Sequence, residues 1–318
     1  MKLSVVVLVI LATFVFGEEP ASANTAWGYL TRHAIPRAEQ VRQAEEEYLR
    51  SESSRIVGGV PAALGQYPFQ AGLISDIVGI TGRGICGGSL VSNQRVLTAA
   101  HCWFDGVNQA WRFEVVLGSV LLFTGGTRIQ SSAVAVHNSW TPLLIRNDVA
   151  IIYLPTPLPT SNIIAPVSLP AGAEISEDFA GSTAIASGFG LTLDGGDITT
   201  NQFLSHVSLN VITNAVCRLA FPLFLHDTNI CTSGVGGTST CNGDSGGPLV
   251  VTRDNRQILV NICWLGSEGI KHLFSAVVTI FNLVDSIPFN YNQIFSTDNT
   301  NTALKKDKLF FIIGTYII

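Results

Sequence analysis

Charge is scarce in this chain of 318 residues: Asp, Glu, Lys and Arg make up only 13% of it, the net charge is −5, and no extended Lys/Arg run occurs. A nucleic-acid surface needs a basic patch to meet the phosphates, so that class of partner is excluded. Disorder is excluded too, because 47% of the residues are hydrophobic and a disordered chain has few apolar residues. The 30 glycines follow no period of three, which removes collagen, and no repeat of 20 to 50 residues stands out. Neither HExxH nor CxxC is present, so no metal and no cofactor are expected. Beyond the N-terminus no apolar run approaches the roughly 20 residues that cross a bilayer, and no membrane span is expected.

What is present begins with Lys2 and the apolar stretch Ser4 to Phe16, ending at Gly17. This has the length of a signal peptide, assigned to residues 1–17 with cleavage as late as residue 23. The expected location is secreted and extracellular, a compartment in which the six cysteines can form disulfides. Residues 18–55 follow as a separate segment. Its stretch Arg37 to Glu52 is charged, rich in helix formers and free of Gly and Pro; it reads as a short solvated helix or flexible leader, not as core. At Arg55–Ile56 the composition switches to apolar and glycine-rich, and a domain boundary belongs there.

From Gly65 onward, short β-branched and aromatic runs alternate with Gly, Pro, Asn and Asp. Strands are predicted at Phe69–Ile74, Ser89–Val91, Val96–Ala99, Phe113–Leu117, Ser132–Val136, Val149–Leu154, Thr183–Ala186, Phe203–Leu209, Pro248–Val251 and Ile258–Cys263. The spacing points to an all-β sandwich or barrel. Helical periodicity is confined to the leader and Val277–Ile287.

Three distant segments carry chemistry. Leu97-Thr98-Ala99-Ala100-His101-Cys102 places a histidine after a small-residue strand end; alone, it reads equally as a structural histidine. Asn147-Asp148-Val149-Ala150 opens a strand with an aspartate, which by itself suits backbone capping. Cys241-Asn242-Gly243-Asp244-Ser245-Gly246-Gly247-Pro248 frees the backbone on both sides of a serine, so a tight turn can expose the hydroxyl and aim N–H groups at one point; a plain glycine-rich turn is the bland alternative.

Together with Ile56-Val57-Gly58-Gly59, these segments resemble the chymotrypsin-like (trypsin-fold) serine endopeptidases in order and spacing, with further likeness to their arthropod chymotrypsin- and collagenase-like branch. The resemblance runs from Ile56 to about Val260. It implies two antiparallel six-stranded β-barrels with the active site in the cleft between them, and a protease domain over 56–287. It also implies Ser245 as nucleophile, His101 as general base and acid, and Asp148 as the group orienting the imidazole. Gly243 and Ser245 N–H groups would form the oxyanion hole. A cut after Arg55 by a trypsin-like protease would free the Ile56 ammonium to pair with Asp244, making the uncut chain a zymogen and 18–55 its propeptide. Protein or peptide substrates and protein protease inhibitors are the partners that go with this family.

The same resemblance pairs Cys86 with Cys102 and Cys217 with Cys231. Cys241 lacks its usual partner, which leaves Cys263 as an irregular partner or a free thiol. Ser239 occupies the specificity-pocket base; a neutral residue there implies cleavage after large apolar residues. The acidic residues of the calcium loop in some members have no counterpart around Gly118–Thr127. After Val260 the likeness fades: Trp264 and Gly266 lie on the strand that should wall the pocket, but the text departs from the family's there. Residues 288–318 form an atypical tail ending in the apolar run Leu309–Ile318. These departures keep a second reading open, a catalytically impaired relative acting as a protein-binding scaffold.

Overall fold

The computed structural model describes residues 25–50, 60–190, 203–220, 225–233, 245–263 and 274–278. A π-helical turn, Leu30–Ala34, leads into α1 (Ile35–Arg50). The first sheet then takes β2 (Gln70–Ile77), β3 (Arg83–Ser92), β4 (Arg95–Thr98), β5 (Ala110–Leu117), β6 (Thr127–Ser131), β7 (Val134–Val136) and β8 (Ala150–Tyr153), preceded in the chain by the short β1 (Val60–Pro61). The second takes β9 (Thr183–Gly188), β10 (Ser205–Ile212), β11 (Asn229–Ser233), β12 (Pro248–Arg253), β13 (Arg256–Ile262) and β14 (Phe274–Val278), with α2 (Asn214–Ala220) after β10.

Every strand pairing is antiparallel, and both sheets close on themselves. In the first, the order is β6-β5-β2-β3-β4-β8-β7. β6 and β7 are separated by only two residues and act as one bent strand, pinned where Ser131 Oγ donates to Tyr153 O at 2.6 Å; counted so, the barrel has six strands. In the second, β10-β11-β14-β13-β12-β9 returns from β9 to β10, another ring of six, and β1 adds to its edge. Each barrel fills with its own apolar side chains: Leu73, Phe113 and Ile152 are fully buried in the first, Leu249, Ile258 and Val260 in the second. This is the all-β, two-barrel architecture expected from the sequence.

The strand predictions fall inside or beside β2–β5, β7–β10, β12 and β13. β6, β11 and β14 carried no readable pattern, and β3 runs longer than predicted because Gly84, Gly87 and Gly88 dilute its hydrophobic signal. The helix expected at Val277–Ile287 is corrected at its start: Val277 and Val278 belong to β14, paired with β11. Residues 279–287 lie outside the described residues, as do the signal peptide and the tail 288–318.

A larger correction concerns the leader. It is helical, but it is not solvated. Leu30, Ala34, Ala38 and Val41 are buried where the leader packs against the β3 side of the first barrel, and Glu45 is 2% exposed. Their spacing of 4, 4, 3 and 4 residues draws one stripe along a helix. Because two of the stripe's members are alanines and the rest of the surface is charged, with Arg42 bridging Glu39 and Glu46, composition alone hides it. Burying Leu30 and Val41 stabilises the packed leader by about 2 kcal/mol each. Ile35 lies over Gly82, and Ala34 over Gly84 of β3, where a side chain would leave no room. The Glu45 carboxylate accepts the N–H groups of Leu122 at 2.5 Å and Phe123 at 2.9 Å.

The barrels touch at a few tight points. Ser187 Oγ of β9 donates to Gln70 Oε1 of β2 at 2.7 Å. Gly87 N–H of β3 donates to Ser245 O at 2.8 Å. Beside it, Gly246 has φ +85°, and a Cβ there would sit 2.3 Å from Thr98 Oγ1 and 2.6 Å from Gly87 O. Glycine is required by both conformation and space.

Two outcomes follow. Gly246→Ala should lower stability by about 2–5 kcal/mol, adding left-handed strain to overpacking; a urea midpoint within experimental error of wild type would contradict this. Burial pushes the Glu45 carboxyl up to about 7, against the Leu122 and Phe123 N–H groups and the Arg128 guanidinium, which pull it down. A raised carboxyl favours the packed state when protonated, so its contribution is complete below about pH 4.5 and is lost as pH rises through 7. Relative to Glu45→Gln, the uncut chain should lose up to about 3 kcal/mol over that window; parallel pH profiles of the two urea midpoints would refute it.

Candidate active site

β4 ends at Thr98, Ala99 stays extended, and a 3₁₀ turn over Ala100–Cys102 carries His101 inward. The Cys86–Cys102 disulfide ties this turn to β3, and by loop-closure entropy a bridge of this span contributes roughly 3 kcal/mol. Asp148 sits just ahead of β8, after Asn147 at φ +57°, a left-handed conformation that asparagine tolerates. β4 and β8 are neighbours with Thr98 opposite Ala150, and that register brings the two segments together.

Asp148 binds His101 twice. Oδ1 accepts the His101 backbone N–H at 2.8 Å, and Oδ2 lies 2.6 Å from the ring Nδ1. A carboxylate offers only acceptors, so the ring proton belongs on Nδ1 and Nε2 presents its lone pair. Both residues are buried, His101 completely. Nε2 has no hydrogen-bond partner among the described residues, and the same holds for the buried Ser245 Oγ.

Ser245 is brought to this corner by its main chain. Its carbonyl accepts from Gly87 and lies 3.6 Å from Cys102 Sγ, while Gly246 N–H donates to Cys263 O at 2.7 Å. Gly246 packs on Thr98 and Ala99, the residues leading into the His101 turn. A buried hydroxyl and a buried imidazole nitrogen, each unpaired, cost about 1–3 kcal/mol apiece. The two atoms therefore do not bond each other in this structure. Cys86, His101 and Cys102 place their ligand atoms within 4.8 Å of one another, but the two sulfurs are bonded to each other and offer no thiolate to a metal.

Facing His101 is a residue that no local motif announced. Tyr29 of the leader stands edge-on to the imidazole, with ring centroids 4.4 Å apart and planes at 75°. Leu30 N–H donates to Asp105 Oδ2 at 2.8 Å, and Ala26 N–H donates to Pro142 O at 3.1 Å. Asp105 also caps its own turn, its Oδ1 accepting from Val107 and Asn108 N–H groups. Asp-Gly at 105–106 reads only as a turn. The partner of its second oxygen lies 75 residues upstream, beyond any local signal.

Cys217–Cys231 ties α2 to β11. Cys263 is buried at the end of β13, its sulfur 3.8 Å from Pro248 O. Arg55, Ile56, Ser239, Cys241, Gly243, Asp244, Trp264 and Gly266 lie outside the described residues.

The Trypsin family profile matches residues 56–284. Among characterised relatives, brachyurin of Leptuca pugilator is 38% identical over 197 residues, 61% of this chain and 80% of that protein. Collagenase of Hypoderma lineatum is 36% identical over 245 residues, 76% of this chain and 89% of that protein. Serine protease 1 of Drosophila melanogaster is 32% identical over 234 residues, 72% of this chain and 84% of its own. The solved structure of HL collagenase superposes with a TM-score of 0.64 at 30% identity, covering 72% of this chain and 96% of that one. Nothing in these likenesses favours a scaffold without activity. No helix among the described residues is long and apolar enough to cross a membrane. The chain belongs to the trypsin family, as a chymotrypsin-like serine endopeptidase acting on protein substrates.

Proposed function

We propose that this endopeptidase is secreted as a zymogen, is cut after Arg55 by a trypsin-like protease, and then cleaves peptide bonds after large apolar residues, with His101, Asp148 and Ser245 as its catalytic groups. On this reading residues 1–17 are the signal peptide, 18–55 the propeptide, 56–287 the enzyme and 288–318 a tail. One observation carries it: the double grip of Asp148 on His101, which leaves Nε2 unpartnered among the described residues, while the Ser245 main chain reaches the same turn with its carbonyl 3.6 Å from Cys102 Sγ.

In the proposed reaction Ser245 Oγ attacks the scissile carbonyl carbon while its proton passes to His101 Nε2. The carbonyl oxygen takes the electron pair and is held by the Gly243 and Ser245 N–H groups; losing one such donor costs about 100- to 1000-fold. Collapse breaks the C–N bond, the proton on Nε2 goes to the departing amine, and an ester remains on Ser245. Water repeats the attack with Nε2 as base and frees the acid. Asp148 keeps the proton on Nδ1 and stabilises the imidazolium in each half.

Activation rests on charge. The Ile56 ammonium freed by the cut would pair with Asp244, and a buried carboxylate left without its partner costs about 3–5 kcal/mol. Neutral Ser239 at the pocket base offers no countercharge to Lys or Arg, which supports apolar specificity; Trp264 and Gly266 would shape the same pocket. The partners are protein substrates, the activating protease and protein inhibitors, in the extracellular space.

The test is to cut the secreted chain before Ile56, separate the leader, and offer a serine-directed phosphonate together with peptides bearing Phe, Leu or Arg before the scissile bond. Labelling at Ser245 and cleavage after Phe or Leu are expected; a folded, correctly cut protein that takes no label overturns the reading. Ser245→Ala should lower kcat by about a million-fold, and retention of more than a hundredth would discard that nucleophile. Asp148→Asn, which offers an amide N–H where Nδ1–H now finds an acceptor, should lower kcat about 10⁴-fold at neutral pH; near-normal turnover would remove the orienting role.

A further inference from the structure

We propose that the leader segment 25–50 is an inhibitor docked across the active site, and that it must dissociate after the cut at Arg55 before the enzyme can work. The proposal rests on the catalytic assignment of His101 and Ser245 made above. It concerns a step separate from the freeing of Ile56.

The first ground is access. A reacting carbonyl has to lie about 3 Å from the nucleophile, with the base in reach. His101 is 0% exposed and Ser245 2% exposed. The Tyr29 ring packs against the imidazole, with ring centroids 4.4 Å apart. Substrate and Tyr29 would compete for the space at that ring.

The second ground is the way the segment is held. On one side of Tyr29, Ala26 N–H is bonded to Pro142 O, and the Trp27 ring lies on Gly106, where an added Cβ would come within 2.7 Å of it. On the other side Leu30 N–H is bonded to Asp105, and the buried stripe Leu30–Val41 packs against the first barrel. The far end is fixed by the Glu45 carboxylate on Leu122 and Phe123, and by Tyr48, whose ring meets Phe203 edge-on at 4.7 Å. Contacts at both ends hold Tyr29 between them, so severing the chain near residue 55 removes none of them.

The third ground is the absence of a covalent tie. All six cysteines lie at residue 86 or beyond, so no disulfide keeps the leader after the cut. Before it, the leader is an intramolecular ligand at an effective concentration in the millimolar range for a short linker; afterwards it is a separate ligand that dilution removes.

The experiment uses the full chain with Ser51→Asp, Glu52→Asp, Ser53→Asp, Ser54→Asp and Arg55→Lys, so that enteropeptidase cuts before Ile56 and spares the arginines inside the leader. The rate of phosphonate labelling is measured on the cut protein at micromolar concentration, again after 100-fold dilution, and again once gel filtration has removed the leader. Labelling at least tenfold slower before removal, relieved by dilution, is expected. Leu30→Asp, a change in the leader alone, should abolish the lag and leave the leader-free rate unchanged; Gly82→Val, which displaces Ile35 from the barrel side, should do the same. Equal rates with and without the leader, in a sample where mass spectrometry finds the leader intact, would overturn the proposal. Absence of labelling in every sample, leader-free protein included, would instead overturn the catalytic assignment, and the inhibitory role with it.

Discussion

The Asp148 carboxylate commits both its oxygens to one residue, and the remaining geometry of the site depends on that commitment. One oxygen fixes the His101 backbone and the other fixes the ring. A single hydrogen bond to Nδ1 would leave the imidazole free to pivot about its bonds to the main chain; two points of attachment, one on each side of Cβ, restrain both the turn and the ring. The arrangement is buried, so water does not compete for either oxygen and the interaction is stronger than it would be in solvent. Held this way, the ring keeps its proton on Nδ1 and leaves Nε2 as the acceptor that a nucleophilic hydroxyl requires.

The barrels serve this pair by fixing where three chain segments end. β4 and β8 are hydrogen-bonded neighbours within the first barrel, so the His101 turn and Asp148 leave the same sheet edge side by side. Ser245 comes from the start of β12 in the second barrel and reaches the corner only because Gly246 lets two backbones approach to a distance at which any Cβ would collide with Thr98 and Gly87. The disulfide from Cys86 to Cys102 stiffens the turn from behind. The Ser245 segment is thus placed by contacts between barrels, while the orientation of His101 rests on a contact within one.

Much of this was legible in the sequence, for reasons that differ by element. The His101, Asp148 and Ser245 segments stood out only together, because their order and spacing resemble one family's, while each alone had a bland reading. Strands such as β5 and β8 could be found because burial on a sheet leaves β-branched residues, Val115 and Val116 in one and Ile151 and Ile152 in the other. β6, over Thr127–Ser131, escaped because most of it is exposed or only partly buried and polar residues cover it. The burial of the leader escaped for another reason. Two members of its stripe are alanines and the stripe begins upstream at Leu30, and its partners, Gly82, Gly84 and Asp105, acquire meaning only when β3 and the turn after His101 have been folded against it. A helix that docks through small side chains onto glycines buries surface that hydrophobicity cannot signal in either partner.

That mode of docking also bears on control. The leader's hold depends on a few anchors: Leu30 and Val41 in the core, Ile35 over Gly82, Tyr29 at His101, and Glu45 on two backbone N–H groups. Such an interface is saturated while the leader is part of the same chain, because the tether holds the local concentration far above any moderate dissociation constant. Once the tether is cut, the same contacts face dilution, and a tight interface of large apolar side chains would then keep the enzyme silent long after activation. The sparse stripe of α1 suits the opposite requirement. On the proposed reading it would cover His101 while intramolecular and release it once severed, so that one cut would both free a new N-terminus and make the cover reversible.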